Sequence, residues 1–144
     1  MTLLFAYGSN MASSEMEAWC PRHRFLGPAR LDGFRLELRR RSIRWRGGAA
    51  DIVAAPEESV WGALYEVADG ELDVLDAKEG EGFAYRQVEV ELADGRRATV
   101  YEVIDKEPQE VPCSREYAEL VLAGARDRGL PEEWVRRLAG ITAE

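Results

Sequence analysis

Apolar and charged residues alternate at two separate places in this chain, and that period most narrows what it can fold into. Phe34, Leu36 and Leu38 alternate with Arg35, Glu37 and Arg39; Val88, Val90 and Leu92 alternate with Glu89 and Glu91. A period of two puts every apolar side chain on one face of a strand, so each segment reads as a half-buried strand. Leu3 to Tyr7 is a continuous apolar run closed by Gly8-Ser9-Asn10, the pattern of a buried strand ending in a turn. Asp51–Ala55 and Val60–Val67 read as two more strands, joined as a hairpin across Pro56-Glu57-Glu58-Ser59. Ala98–Ile104 follows Ala93-Asp94-Gly95 and reads as the returning partner of Tyr85–Leu92.

Helical signals fill the gaps. Ser14 and Glu17 have capping-box spacing, and Pro21 stops that helix after about two turns. Asp69 caps a short helix that ends at Glu79-Gly80 with Leu72 and Leu75 on one face. Ser114 caps a longer one to Arg128, with Tyr117, Leu120, Val121 and Ala125 at helical spacing and Gly129 as its stop. Pro131 opens a last helix carrying Trp134 and Leu138; Trp45, Trp61 and Trp134 are expected in the core. Roughly six strands with helices at the start, middle and end predict an α+β domain with a mostly antiparallel or mixed sheet, able to close. No repeat or boundary divides the chain, so residues 1–144 are expected to form a single domain with an ordinary packed core.

Charge excludes one class of partner. With 19 Lys and Arg against 27 Asp and Glu, the net charge is −8, which argues against a phosphate backbone as ligand. The basic run Arg39-Arg40-Arg41 with Arg44 and Arg46 reads as a solvated strand end or loop. Cys20 and Cys113 lie far apart in no metal-ligand spacing, which favours a reducing compartment. No stretch approaches the ~20 apolar residues of a membrane span. Together these point to the cytoplasm, without membrane or nucleic acid.

Most catalytic constellations are missing. His23 is the only histidine, nothing near it in sequence orients it, and it reads as a surface residue. Two features remain. Tyr7-Gly8-Ser9-Asn10 sits where a buried strand meets a helix start, where glycine permits a tight turn and successive N–H groups form an anion-binding concavity; the bland alternative is a plain turn. Glu79 stands at a helix C-terminus, where the dipole disfavours its charge and lifts its pKa toward that of a general base, although most glutamates are simply solvated.

Taken together, these features resemble the gamma-glutamylcyclotransferase family. The resemblance rests on Phe5-Ala6-Tyr7-Gly8-Ser9-Asn10-Met11, Trp45-Arg46-Gly47-Gly48-Ala49-Ala50, Val60-Trp61-Gly62-Ala63-Leu64-Tyr65, Leu75-Asp76-Ala77-Lys78-Glu79-Gly80, and Ser114-Arg115-Glu116-Tyr117 through Gly129-Leu130-Pro131. It covers nearly the whole chain, and YGSN, WGxxY and LDxxEG in that order are specific. The resemblance implies a small mixed five- or six-stranded β-barrel flanked by short helices, with the site at its mouth. It also implies a reaction in which the free α-amine of a gamma-glutamyl group attacks its own γ-carbonyl, releasing 5-oxoproline and the attached amino acid, with no cofactor and no metal. Glu79 maps onto the family's acid/base; Tyr7, Gly8, Ser9, Asn10 and Met11 map onto its substrate loop; and Tyr85, Tyr101 and Tyr117 onto pocket tyrosines, for which ordinary packing is the competing reading. Glu81 is a second nearby carboxylate, but it falls after the motif glycine and ranks below Glu79.

The expected partner is a small gamma-glutamyl substrate, and the oligomeric state stays open with a homodimer among the options. Two alternatives share the chemistry: a gamma-glutamylamine cyclotransferase, or an enzyme deprotecting a gamma-glutamyl intermediate. A third, of another class, is a non-catalytic small-molecule binding module on the same fold.

Overall fold

A computed structural model describes residues 1–79 and 84–141, apart from the Glu79 side chain. Its strands are β1 (Thr2–Ala6), β2 (Arg24–Ser42), β3 (Gly47–Val67), β4 (Tyr85–Glu91) and β5 (Arg97–Val103). The α-helices are α1 (Ser13–Trp19), α2 (Asp69–Glu79), α3 (Arg115–Asp127) and α4 (Glu132–Ala139), and one 3-10 turn covers Ser9–Met11. The five strands form one mixed sheet in the order β2-β3-β1-β5-β4, which is the α+β class that the periodicities predict.

β1 is central because it is apolar on both faces: Leu4 and Phe5 are 1% exposed, as a strand flanked on both sides must be. It runs antiparallel to β3, with Leu4 opposite Tyr65, and parallel to β5, with Leu4 opposite Thr99. A backbone bond from Ala93 N–H to Arg30 C=O, 2.9 Å, brings the turn after β4 onto β2 and curls the sheet toward closure.

The expected hairpin at Pro56–Ser59 is not formed. Asp51–Ala55 and Val60–Val67 are parts of one strand, β3, and both pair with β2. Between Asp32↔Ser59 and Phe34↔Ala54 the register jumps, with Gly33 at φ 88° on the β2 side. Proline has no N–H for the ladder, so the turn-like residues produce an irregularity that bends a continuing strand, and the reversal comes instead at residues 43–46. The capping box is a second correction. Helix α1 begins at Ser13 after Ala12, with no side-chain cap bond, and Ser14 lies inside its first turn.

Ser114 caps α3 by accepting from Tyr117 N–H at 3.2 Å, and Gly129, at φ 74°, lies just past its end, both as expected. Trp134 is in the core, whereas Trp45 and Trp61 are half-buried at its edge. Cys20 and Cys113 are both buried, and among the described residues neither forms a disulfide. Among the described residues no helix is long and apolar enough to cross a membrane.

Candidate active site

The site lies where the sheet parts. β1 stops at Ala6, opposite Ala63, so the Gly47–Ala54 half of β3 has no strand beyond it on that side. Its backbone groups there need other partners. Tyrosines supply them: Ala50 N–H donates to the Tyr117 hydroxyl at 2.8 Å, and the Tyr85 hydroxyl donates to Ala50 C=O at 3.2 Å. One residue further on, buried Asp51 accepts from Val103 N–H at 2.9 Å and pairs with Lys106 at 2.8 Å. Burial raises its pKa, with Lys106 opposing that shift.

A cavity of about 40 Å³ opens in this gap, lined by Tyr7, Gly8, Ser9, Asn10, Ala50, Tyr85, Tyr101 and Tyr117 together with the end of β1. Seven of the eight residues assigned to substrate binding from sequence therefore converge, although they are spread over more than a hundred positions of the chain. Met11 is the exception. Its side chain is fully buried in the core and does not line the cavity, because the 3-10 turn rotates it inward; its C=O accepts from Arg128 Nε at 3.2 Å. His23 stays outside too, with Nδ1 2.6 Å from Cys20 C=O and its ring edge-on to Tyr65.

The loop after β1 is held from several sides. Gly8 packs closely: a Cβ there would press on Ala50 Cβ and the Tyr117 hydroxyl, each at 3.2 Å. Behind the loop, the Tyr65 hydroxyl donates to Asn10 C=O at 2.9 Å, and burial pushes its pKa to about 12, keeping it a donor. The Tyr7 hydroxyl donates to Tyr101 C=O at 2.5 Å, and the Tyr101 hydroxyl donates to Asp76 Oδ1 on α2. Lys78, also on α2, donates to Asn10 Oδ1 at 2.7 Å. These contacts join the C-terminal turn of α2 to the cavity. Glu79 ends that turn; its side chain, like Gly80 and Glu81, lies outside the described residues.

The sequence reading missed a second space. A groove of about 150 Å³ shares Ser9, Tyr85 and Tyr117 with the cavity and adds Arg40, Arg44, Trp45 and Lys78. The basic run is therefore not uniformly solvated. Arg39 pairs with Glu37 at 2.6 Å and Arg44 with Glu15 at 2.9 Å, while the Arg40 guanidinium lies 5.6 Å from the centroid of the Tyr85 ring. The sequence carries no signal for this, because alternation would put Arg40 on the face of Leu36 and Leu38, and the register shift between Leu38 and Arg40 breaks that phase.

Fold and cavity together define an α+β protein with a small-molecule site between the end of β1 and the far half of β3. Residues 4–119 match the family model described as "Gamma-glutamyl cyclotransferase, AIG2-like", and the chain belongs to that family. It is 32% identical to human gamma-glutamylcyclotransferase over 96% of this chain and 78% of that protein. A solved structure of a gamma-glutamyl cyclotransferase superposes with a TM-score of 0.92 at 30% identity, covering 99% of this chain and 89% of the other. YkqA from Bacillus subtilis shares the fold, with a TM-score of 0.80 at 24% identity over 99% of this chain and 56% of its own.

Proposed function

We propose that this chain is a gamma-glutamylcyclotransferase that converts a gamma-glutamyl conjugate into 5-oxoproline and the released amine or amino acid, with Glu79 as acid and base. The observation that carries this reading is the convergence of Tyr7, Gly8, Ser9, Asn10, Tyr85, Tyr101 and Tyr117 on one cavity braced against the last turn of α2.

The substrate's α-ammonium gives a proton to the Glu79 carboxylate. The freed amine attacks the γ-carbonyl carbon, and the carbonyl oxygen becomes an oxyanion. The Glu79 proton then passes to the leaving nitrogen, the oxyanion collapses to a carbonyl and the old C–N bond breaks; the ring nitrogen's surplus proton follows through the freed Glu79 carboxylate to the departing amine, which leaves as an ammonium with the carboxylate regenerated. A carboxylate in this double role contributes about 10²–10⁴-fold. The first N–H groups of a helical turn lack intrahelical acceptors, so Gly8, Ser9 and Asn10 offer donors for an anionic oxygen; one such donor is worth about 10²–10³-fold. Because ring closure is intramolecular, most of the protein's task is to hold the glutamyl chain curled. A narrow cavity walled by braced tyrosines suits that task.

The test is mass spectrometry of the purified protein with gamma-glutamyl amino acids, gamma-glutamyl amines and glutathione, with Glu79→Gln as control. The expected result is 5-oxoproline from the wild type and a loss of about 10²-fold or more in the variant. A Glu79→Gln protein with full turnover removes Glu79 from the mechanism. A wild type that binds but cyclises none of the panel favours the binding module.

A further inference from the structure

We infer that Arg40 is the residue that binds the carboxylate of the leaving group, and so lets this site tell a gamma-glutamyl α-amino acid from its carboxyl-neutral counterpart. This rests on the cyclotransferase reading and goes beyond it by assigning the residue that reads the departing half.

Three observations converge. The groove adjoins the reaction cavity, with Ser9, Tyr85 and Tyr117 lining both, so a conjugate whose glutamyl half occupies the cavity has the groove as the nearest space for its other half. That groove is cationic in a protein of net charge −8, where the field of the whole molecule repels an anionic ligand. Its three cations also differ. Arg44 is held by Glu15 at 2.9 Å and lies 4.6 Å from the Trp45 ring centroid, and Lys78 is tied to Asn10. Among the described residues, Arg40 has no carboxylate within ion-pair distance; the Tyr85 ring supports its half-buried guanidinium and leaves the N–H fork for a ligand.

The local backbone explains how an arginine comes to this position. Leu38 faces Ala50 and Arg40 faces Ala49, so Arg39 is a bulged residue. A bulge re-aims the side chains beside it, and here it lies at the rim of the cavity. A planar carboxylate matches a guanidinium fork through two parallel hydrogen bonds, whereas an uncharged amine or amide offers no such partner.

The experiment compares gamma-glutamyl-L-alanine with gamma-glutamyl-L-alaninamide, which differ only at the leaving group's carboxyl, on wild type, Arg40→Gln and Arg40→Lys. The wild type is expected to prefer the acid by about 10- to 100-fold in kcat/KM, the range for a hydrogen bond to a charged group. In Arg40→Gln the acid-to-amide ratio falls to about 1, mainly through a higher KM for the acid, and Arg40→Lys keeps part of it. A wild type without preference, or an Arg40→Gln protein that keeps the full ratio, overturns the assignment. Because each ratio is taken within one protein, loss of folded material in a variant scales both rates alike, and Arg40→Lys serves as the second variant should Arg40→Gln not fold. No 5-oxoproline from these two or from any of the wider gamma-glutamyl panel overturns the cyclotransferase reading and this inference with it; product from the panel but from neither of these two overturns this inference alone.

Discussion

Lys78 Nζ lies 2.7 Å from Asn10 Oδ1 and 3.4 Å from Glu15 Oε1, so the last turn of α2 is fastened to the loop that follows β1. The pair connects the segment ending in Glu79 to the segment offering backbone donors, and the Lys78 side chain is only 6% exposed. Lys78→Met keeps the length and the packing but loses the bond. We expect kcat/KM to fall about 10- to 100-fold, the worth of a charge-assisted hydrogen bond, with a native circular dichroism spectrum. Unchanged kinetics would remove Lys78 from the positioning of the site.

Helix α3 reaches the same loop from behind. A Cβ at Gly124 would lie 2.8 Å from Ala12 N and Met11 C, a backbone clash that only movement of the helix or the loop relieves. Gly124→Ala is expected to cost about 1–3 kcal/mol, as overpacking does, and to lower activity in a protein that remains folded. Gly70→Ala is the matched control: nothing lies within 4 Å of a Cβ there, and the substitution is expected to be neutral or to stabilise by up to about 1 kcal/mol. Urea unfolding and steady-state kinetics on both variants decide it.

Asp51 ties the far half of β3 to the end of β5. Asp51→Ala leaves the Val103 N–H without its acceptor, at a cost of about 1–3 kcal/mol, whereas Asp51→Asn can keep an oxygen in place. Burial raises the Asp51 pKa, so the folded state binds more protons than the unfolded one above the ordinary value of 3.8. Stability linked to this group is therefore greatest at low pH and is lost as pH rises through that window. Asp51→Asn should flatten this acid-side slope in denaturant titrations; an unchanged slope would assign it to other carboxylates.

On the alkaline side two buried groups act together. Burial first, and then the Glu71 charge, push the Cys20 thiol from 9.0 to about 11, and burial pushes the Tyr65 phenol from 10.0 to about 12. Between those limits the unfolded chain has released protons that the native protein keeps, so stability falls as pH rises from about 9 toward 12. The Cys20 share is of the order of 2 kcal/mol. Thermal melts should show this decline, Cys20→Ala should remove its first part, and native Cys20 should resist alkylation at pH 8. Rapid labelling of Cys20 without unfolding would contradict this.

Much of the fold is written in local pattern. The period-two runs, the Ser114 cap and the Gly129 stop each name their element because neighbours in sequence supply the chemistry. Prolines and turn residues mislead at Pro56–Ser59, because whether such a segment reverses the chain or bulges a strand depends on what lies across from it, here Gly33. The site shows the same division. Gly8, Ser9 and Asn10 are legible as a loop, while the part played by Tyr117 depends on where β1 stops. Met11 differs from its neighbours only through the rotation of one 3-10 turn, and Arg40 is hidden inside a run that otherwise pairs with carboxylates or faces solvent.

The position of β1 between β3 and β5 also governs when the site comes into being. β1 fits between two strands that follow it by about sixty and about ninety-five residues, one of them by a parallel pairing. Such distant pairings are slow to form and come late in folding. The loop of Gly8, Ser9 and Asn10 hangs from the end of that strand and is completed only by Tyr117 in α3. The complete cavity thus exists only once β1 has found both neighbours and α3 has docked, so ligand present during refolding is expected to favour the late, docked state.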